Sequence, residues 1–162
     1  MGGCNSLAGG NDQLAANVDD VAAYIVCAAE LAQTDAVAVG NAAQRITAEQ
    51  LEDLRAIIRE AESETAETKD VSNITEYFDT RFHSLLYQAA GNQKLMKVLQ
   101  DLHIVMLRIW FHVGLDAIGF AHQAQNFYEV LEALEQKDPE KARTVMEDHV
   151  DLYAAQLKEK FL

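Results

Sequence analysis

The stretch Asn73-Ile74-Thr75-Glu76-Tyr77-Phe78-Asp79-Thr80-Arg81-Phe82-His83-Ser84-Leu85-Leu86-Tyr87-Gln88-Ala89-Ala90-Gly91-Asn92 reads as one complete helix with both ends marked. Asn73 offers a side-chain oxygen to the free amides of a first turn, and Glu76, three residues on, completes the capping pattern. Phe78, Phe82, Leu85, Leu86 and Ala89 recur at steps of three and four, which places them on one side of a helix. Gly91 supplies the left-handed backbone that ends it.

The same signals continue on both sides. Upstream, Thr47-Ala48-Glu49-Gln50 is a capping box that opens a helix over about 48–65, with Leu51, Leu54, Ile57 and Ile58 as its stripe. From Glu62 to Asp70 no large apolar side chain occurs, which predicts a polar connector. Downstream, Leu95, Val98, Leu99, Leu102, Val105, Met106 and Ile109 mark a long helix reaching Leu115 or Gly119. Phe127, Val130, Leu131 and Leu134 mark another over Gln123 to Gln136. Asp138-Pro139 is an N-cap followed by proline at the first helical position, and Ala142, Val145, Met146, His149, Val150, Tyr153 and Leu157 share one face of the helix it opens. Gln13 to Gln44, rich in Ala and Val, suits a helix packed closely on several sides and bent near Gly40-Asn41. The expected fold is all-α, an antiparallel bundle of six or seven helices. No repeat or linker divides it, so residues 1–12 are expected as a flexible segment and 13–162 as one domain.

Composition agrees. The chain has 162 residues, 49% hydrophobic and 24% charged, with only 8 Gly and 1 Pro, which disfavours turn-rich β folds. Thirteen basic against 26 acidic residues give a net charge of -13, which repels nucleic acid and anionic lipid. The first basic residue is Arg45, so the leader lacks the basic region of a secretory signal. Met1-Gly2-Gly3-Cys4-Asn5-Ser6 satisfies the loose acylation pattern, but a flexible Gly-rich terminus is the plainer reading. Cys4 and Cys27 are too few for a disulfide scaffold, which suits a reducing cytoplasmic compartment, and Cys27 reads as a small core residue. Arg108, His112 and Asp116 interrupt the most apolar run, so no membrane span is expected.

Five histidines carry the chemistry: His83, His103, His112, His122 and His149. Asp79 and His83 lie four residues apart, as do His112 and Asp116, and such pairs share a helix face as ready two-ligand clips for a divalent metal. The Asp79–His83 pair sits mid-helix and is the better organised, with His149 as the best third ligand. An ordinary polar i,i+4 contact is the competing reading, and His103, His112 and His122 are expected as surface or pocket-lining residues.

The run from Asp79 through His83 and Leu86, with Ala89-Ala90-Gly91-Asn92 and Leu95, resembles the signature of the FCD domain. That domain is the C-terminal effector-binding domain of FadR-subfamily GntR transcriptional regulators. Val130-Leu131-Glu132-Ala133-Leu134, Asp138-Pro139-Glu140-Lys141-Ala142, Met146 and His149-Val150 are similar to its closing pattern, and Arg45-Ile46-Thr47-Ala48-Glu49-Gln50-Leu51 to an earlier helix start. The match spans about residues 18–162.

The resemblance implies a bundle enclosing a ligand pocket, a sensor that holds a small carboxylate effector there, often through a divalent metal such as zinc, nickel or manganese. It implies a cytoplasmic homodimer that reaches DNA only through a separate winged helix-turn-helix domain, which has no counterpart here. Of the family's usual ligands, three fall on Asp79, His83 and His149, and the fourth falls on Phe127, which cannot coordinate. His122, five residues earlier, stands about 140° away around a regular helix. Tyr87, Tyr153, Arg108, Asn92 and Phe127 are candidate ligand contacts, although Asn92 also suits a helix end and Arg108 a paired surface position. Trp110 and Phe111 are candidates for either interface or core. A metal-free bundle binding acyl chains or other small molecules is the alternative, and a metal-dependent enzyme the remaining rival.

Overall fold

A computed structural model describes residues 18–67, 72–113 and 117–161. They form six helices: α1 (Val18–Arg45), α2 (Ala48–Glu67), α3 (Ser72–Ala90), α4 (Gln93–Val113), α5 (Ala117–Glu135) and α6 (Pro139–Phe161). No strand occurs among the described residues. The bundle is built around α1, which packs most extensively on α6 and also on α3, α4 and α5, while α2 closes over α3 and α5. Small residues permit this: Ala28, Ala32, Ala36, Ala38, Ala42 and Ala43 are all buried, letting neighbouring backbones come close. At Gly40, which is buried, an added Cβ would run into the Arg143 side chain of α6. Helix α1 runs unbroken through Gly40-Asn41.

At Thr47, Asp138 and Gly91-Asn92 the capping signals act as the sequence predicts, whereas Asn73, expected as a cap, lies inside α3, which starts at Ser72. Thr47 N–H donates to Gln50 Oε1 at 3.1 Å, and Gln50 N–H returns to Thr47 Oγ1 at 3.2 Å. Asp138 Oδ1 accepts from the amides of Glu140 and Lys141, at 3.1 and 3.0 Å, at the start of α6. Gly91, at φ 69°, ends α3, and Asn92 Oδ1 accepts from Leu95 N–H at 3.2 Å to begin α4. The Arg45 guanidinium reaches across from α1 to bond the Ala90 carbonyl, an acceptor the helix end leaves open.

Three boundaries depart from expectation. Helix α2 continues to Glu67, through the segment read as a connector. Its Ala and Glu residues propagate a helix well once it is nucleated, and Glu62 gains a partner when the Tyr128 hydroxyl donates to it at 2.8 Å. Helix α4 stops at Val113 and α5 starts at Ala117, so Gly119 lies inside α5. Asp116 lies outside the described residues, as do the side chains of His112, His122, Trp110 and Phe111.

One feature went unanticipated. Helix α5 ends in a Schellman motif, with Asp138 N–H bonded to Ala133 O and Lys137 N–H to Leu134 O, both at 3.1 Å. Lys137 occupies the left-handed position at φ 52°. A Cβ there is strained, so Lys137→Gly should stabilise the domain by about 1 kcal/mol, seen as a Tm rise of about 2–4 °C; an unchanged or lower Tm would contradict this.

Candidate metal centre

The buried face of α3 divides into two rows. Phe78, Phe82 and Leu86 form an apolar row, and Asp79, His83 and Tyr87, each one residue later, form a polar row beside it. The apolar row anchors the helix: Phe82 is fully buried and stacks on Phe127 of α5 with ring centroids 4.1 Å apart. That anchoring holds the polar row against α1, α4 and α6. Five polar or charged residues are buried among the described residues: Asp35, Asp79, His83, His103 and His149. All five converge here from four helices.

The ligand atoms of Asp79, His83 and His103 lie within 4.8 Å of one another. Asp79 Oδ2 is 3.0 Å from His103 Nε2, and Asp79 Oδ1 is 3.6 Å from His83 Nε2. On its other side, His83 Nδ1 faces Asp35 Oδ2 at 3.5 Å and the Tyr87 hydroxyl at 3.4 Å. The His149 ring stands 5.7 Å from that of His83, with its Nδ1 3.4 Å from Asn126 Nδ2.

Burial drives the titration of these groups. It lowers His83 to about 3 and His149 to about 4, despite the attraction of Asp79, so both imidazoles are neutral and keep a free lone pair. Burial also opposes the ionisation of Asp79, but the imidazoles of His83, His103 and His149 outweigh it and hold the carboxyl well below its usual range. His103 is pushed up, because Asp79 and then Asp35 overcome the cost of its burial. Asp35 rises to about 7, mainly through burial, against the opposing pull of His103 and Tyr87.

These shifts give the metal-free protein a signed pH dependence. Below the ordinary imidazole value of 6.5, unfolded chains take up protons at His83 and His149 that the folded chain refuses, so both sites cost stability as pH falls toward 4. Asp35 acts in the opposite sense: its contribution is complete below 3.8 and is lost as pH rises through about 7. His103 likewise contributes below 6.5 and loses that contribution only above it. Asp79 contributes above 3.8 and matters only in stronger acid. From pH 6.5 to 4 the net is about one proton, a loss of about 1.4 kcal/mol per pH unit, readable by denaturant titration in chelator. Asp35→Asn should steepen this to about two protons; a flat or inverted profile would contradict the assignment.

The residues fit a divalent metal. Two donors, each about 2.1 Å from one ion, stand roughly 3.0–3.4 Å apart, and the Asp79 contacts of 3.0 and 3.6 Å bracket that spacing. The polar contacts of His103 Nε2 and of the Asp35 carboxylate all lie within the cluster, to Asp79 and to His83 and Tyr87, so the donors are held together in an otherwise apolar interior where an ion would be shielded from water. A carboxylate with imidazoles suits zinc, nickel or manganese, and an ion binding at His103 would displace the proton that the site otherwise favours there.

The structure therefore joins Asp79 and His83, as the spacing suggests, and adds His103 from α4 and Asp35 from α1. His149 lies alongside, outside the set of mutually close donors. His103, expected at the surface or lining a pocket, is buried and lines the centre; it takes an inward position between Leu99 and Met106, at i−4 and i+3, and that periodicity is the signal for it. Tyr87 borders the centre. Phe127 lies against it, 5.4 Å from the His149 ring and 6.0 Å from that of His83. Asn92 is exposed and caps α4, away from the cluster. Arg81 points outward to Glu60 Oε2 at 2.8 Å. The side chains of Arg108 and Tyr153 lie outside the described residues. A groove of about 370 Å³ lies elsewhere, between α2 and α5, where Arg55 and Arg59 are already paired with Glu135 and Glu52.

The FCD domain family model matches residues 35–152. Among solved structures, E. coli McbR/YncC is similar with a TM-score of 0.73 and 16% identity, over 90% of this chain and 66% of that one. Streptococcus agalactiae GntR is similar with a TM-score of 0.70 and 18% identity, over 88% of this chain and 62% of that one. The chain thus spans just under two-thirds of the length of either structure. No curated protein matches it in sequence.

Proposed function

We propose, from the premise that this chain belongs to the FCD domain family, that it is the ligand-sensing unit of a GntR-type transcriptional regulator of the FadR subfamily. It binds a small organic acid next to a divalent metal. The observation that carries this reading is the buried set of Asp79, His83 and His103, whose donor atoms lie within reach of one ion. Asp79, His83 and His103 would hold the metal, with His149 beside them. The metal would supply a positive charge on which a carboxylate can rest. Tyr87 and Phe127 wall the centre, one offering a hydroxyl and the other an apolar ring.

The protein's own part is to pre-arrange these groups at the meeting point of α1, α3, α4 and α6, so that a ligand shifting any of them is felt by the whole bundle. DNA contact belongs to a separate winged helix-turn-helix domain, in keeping with the net charge of -13 carried by this chain. The regulator acts in the cytoplasm as a homodimer. No described helix is long and apolar enough to cross a membrane.

The test is a thermal melt after chelation, with zinc, nickel or manganese restored, then with a panel of small carboxylates added. Metal at about 100 times its dissociation constant should add roughly 2.7 kcal/mol, and a carboxylate should raise Tm further only when metal is present. Carboxylates that act equally well in chelator would overturn the metal-assisted reading.

A further inference from the structure

We infer that Asp35 is a positioning residue for the metal site, fixing the ring orientation and tautomer of His83 so that Nε2 is the coordinating nitrogen. This inference rests on the metal-binding reading above and deepens it. His83 has two ring nitrogens in different settings. Nε2 faces Asp79, itself in contact with His103, whereas Nδ1 faces Asp35 Oδ2 at 3.5 Å from the opposite side. A neutral imidazole carries one proton, and whichever nitrogen holds it cannot bind a metal. A carboxylate at Nδ1 draws the proton there and leaves the Nε2 lone pair directed at Asp79 and His103. Carboxylates behind metal-bound histidines commonly act in this way.

Asp35 suits that task and little else in this environment. It is completely buried on α1, in a stripe otherwise made of alanine, leucine and valine, with His83 Nδ1 at 3.5 Å and the Tyr87 hydroxyl as its polar neighbours. A carboxylate in such surroundings costs stability unless it is used. Asp35 also falls outside the group of mutually close metal donors, so it acts from behind the His83 ring. Tyr87, on the same side, is 3.4 Å from His83 Nδ1. Its hydroxyl can accept from Nδ1–H while donating to Asp35, which reinforces the same tautomer. Four helices contribute the five residues of the centre: the orienting carboxylate from α1, two donors from α3, one from α4, and His149 from α6.

Two measurements on the full chain test this. In the first, Co²⁺ is titrated into chelator-treated wild type, Asp35→Asn and Asp35→Ala, following the visible absorption of the ion. The expected result is binding weakened about 10–100-fold in both variants, with the metal-free Tm not lowered by Asp35→Asn. Wild-type binding matched by both variants would overturn the inference. The second needs no metal: long-range ¹H–¹⁵N correlation at pH 8, where Asp35 is ionised, reports which His83 nitrogen carries the proton. Wild type and Tyr87→Phe should show it on Nδ1, and Asp35→Ala should move it toward Nε2. The same tautomer in wild type and Asp35→Ala would overturn the inference. If wild type takes up no Co²⁺, the metal-binding reading fails by itself, and the tautomer comparison still decides the role of Asp35.

Discussion

Asp79→Ala should cost the metal-free protein about 3–5 kcal/mol, the largest loss expected from any single substitution at the centre. The Asp79 carboxylate is the shared partner of two imidazoles, 3.0 Å from His103 and 3.6 Å from His83. Its removal strands His103, the one histidine of the cluster whose protonation the site favours, as a buried cation with only the more distant Asp35 to balance it. The alternative, losing that proton, leaves a buried imidazole without its partner. Either outcome costs several kcal/mol, against a total stability of about 5–15 kcal/mol for an ordinary domain. For a chain of this size the Tm should fall by roughly 6–20 °C, and added zinc should no longer raise it. Asp79→Asn, which keeps the shape and one acceptor, should lose less stability and still lose the response to metal. A loss below about 1 kcal/mol for Asp79→Ala would mean the carboxylate is not the hub of the cluster.

The cost of Phe127→His should disappear when metal is present. In chelator the imidazole forfeits the stacking on Phe82, at 4.1 Å between centroids, and brings a polar ring into a buried site; together these cost about 2–3 kcal/mol. With zinc in excess, the new ring adds a donor beside His149, 5.4 Å away, at the position where the family's usual ligand falls. Affinity should tighten on the order of 100-fold, worth about 2.7 kcal/mol in saturating metal, which cancels the loss. Melts of both proteins in chelator and in zinc read the convergence directly. A variant that is equally destabilised in both would show that Phe127 stands too far from the ion to matter.

These two residues also mark how far the sequence could be read. The helices were legible wherever a cap and a stripe coincided, as at Thr47 to Gln50 or at Asp138-Pro139, because local hydrogen bonds and spacing carry that information. The end of α2 was hidden because Glu, Ser and Thr serve helix and connector equally, and only the contact from Tyr128 reveals which applies. The Asp79–His83 pair was visible because both members share one helix. Asp35 was hidden by its surroundings: in the Ala-rich α1, small residues on every side give no contrast from which to phase a buried face. His103 did lie on a readable stripe, between Leu99 and Met106, but nothing local links it to Asp79, on a different helix. Pairing across helices is a property of the assembled bundle.

The depth of the centre has a consequence in time. Asp35, Asp79, His83, His103 and His149 are all less than a tenth exposed, so among the described residues an ion at this point would sit behind closely packed side chains. Entry and exit must wait for α3, α4 or α6 to part locally, a motion costing part of the folding free energy. Release would then proceed at the rate of that opening, and raising the concentration of a competing chelator would not hasten it. An ion held there, and any ligand resting on it, would exchange no faster than the bundle opens.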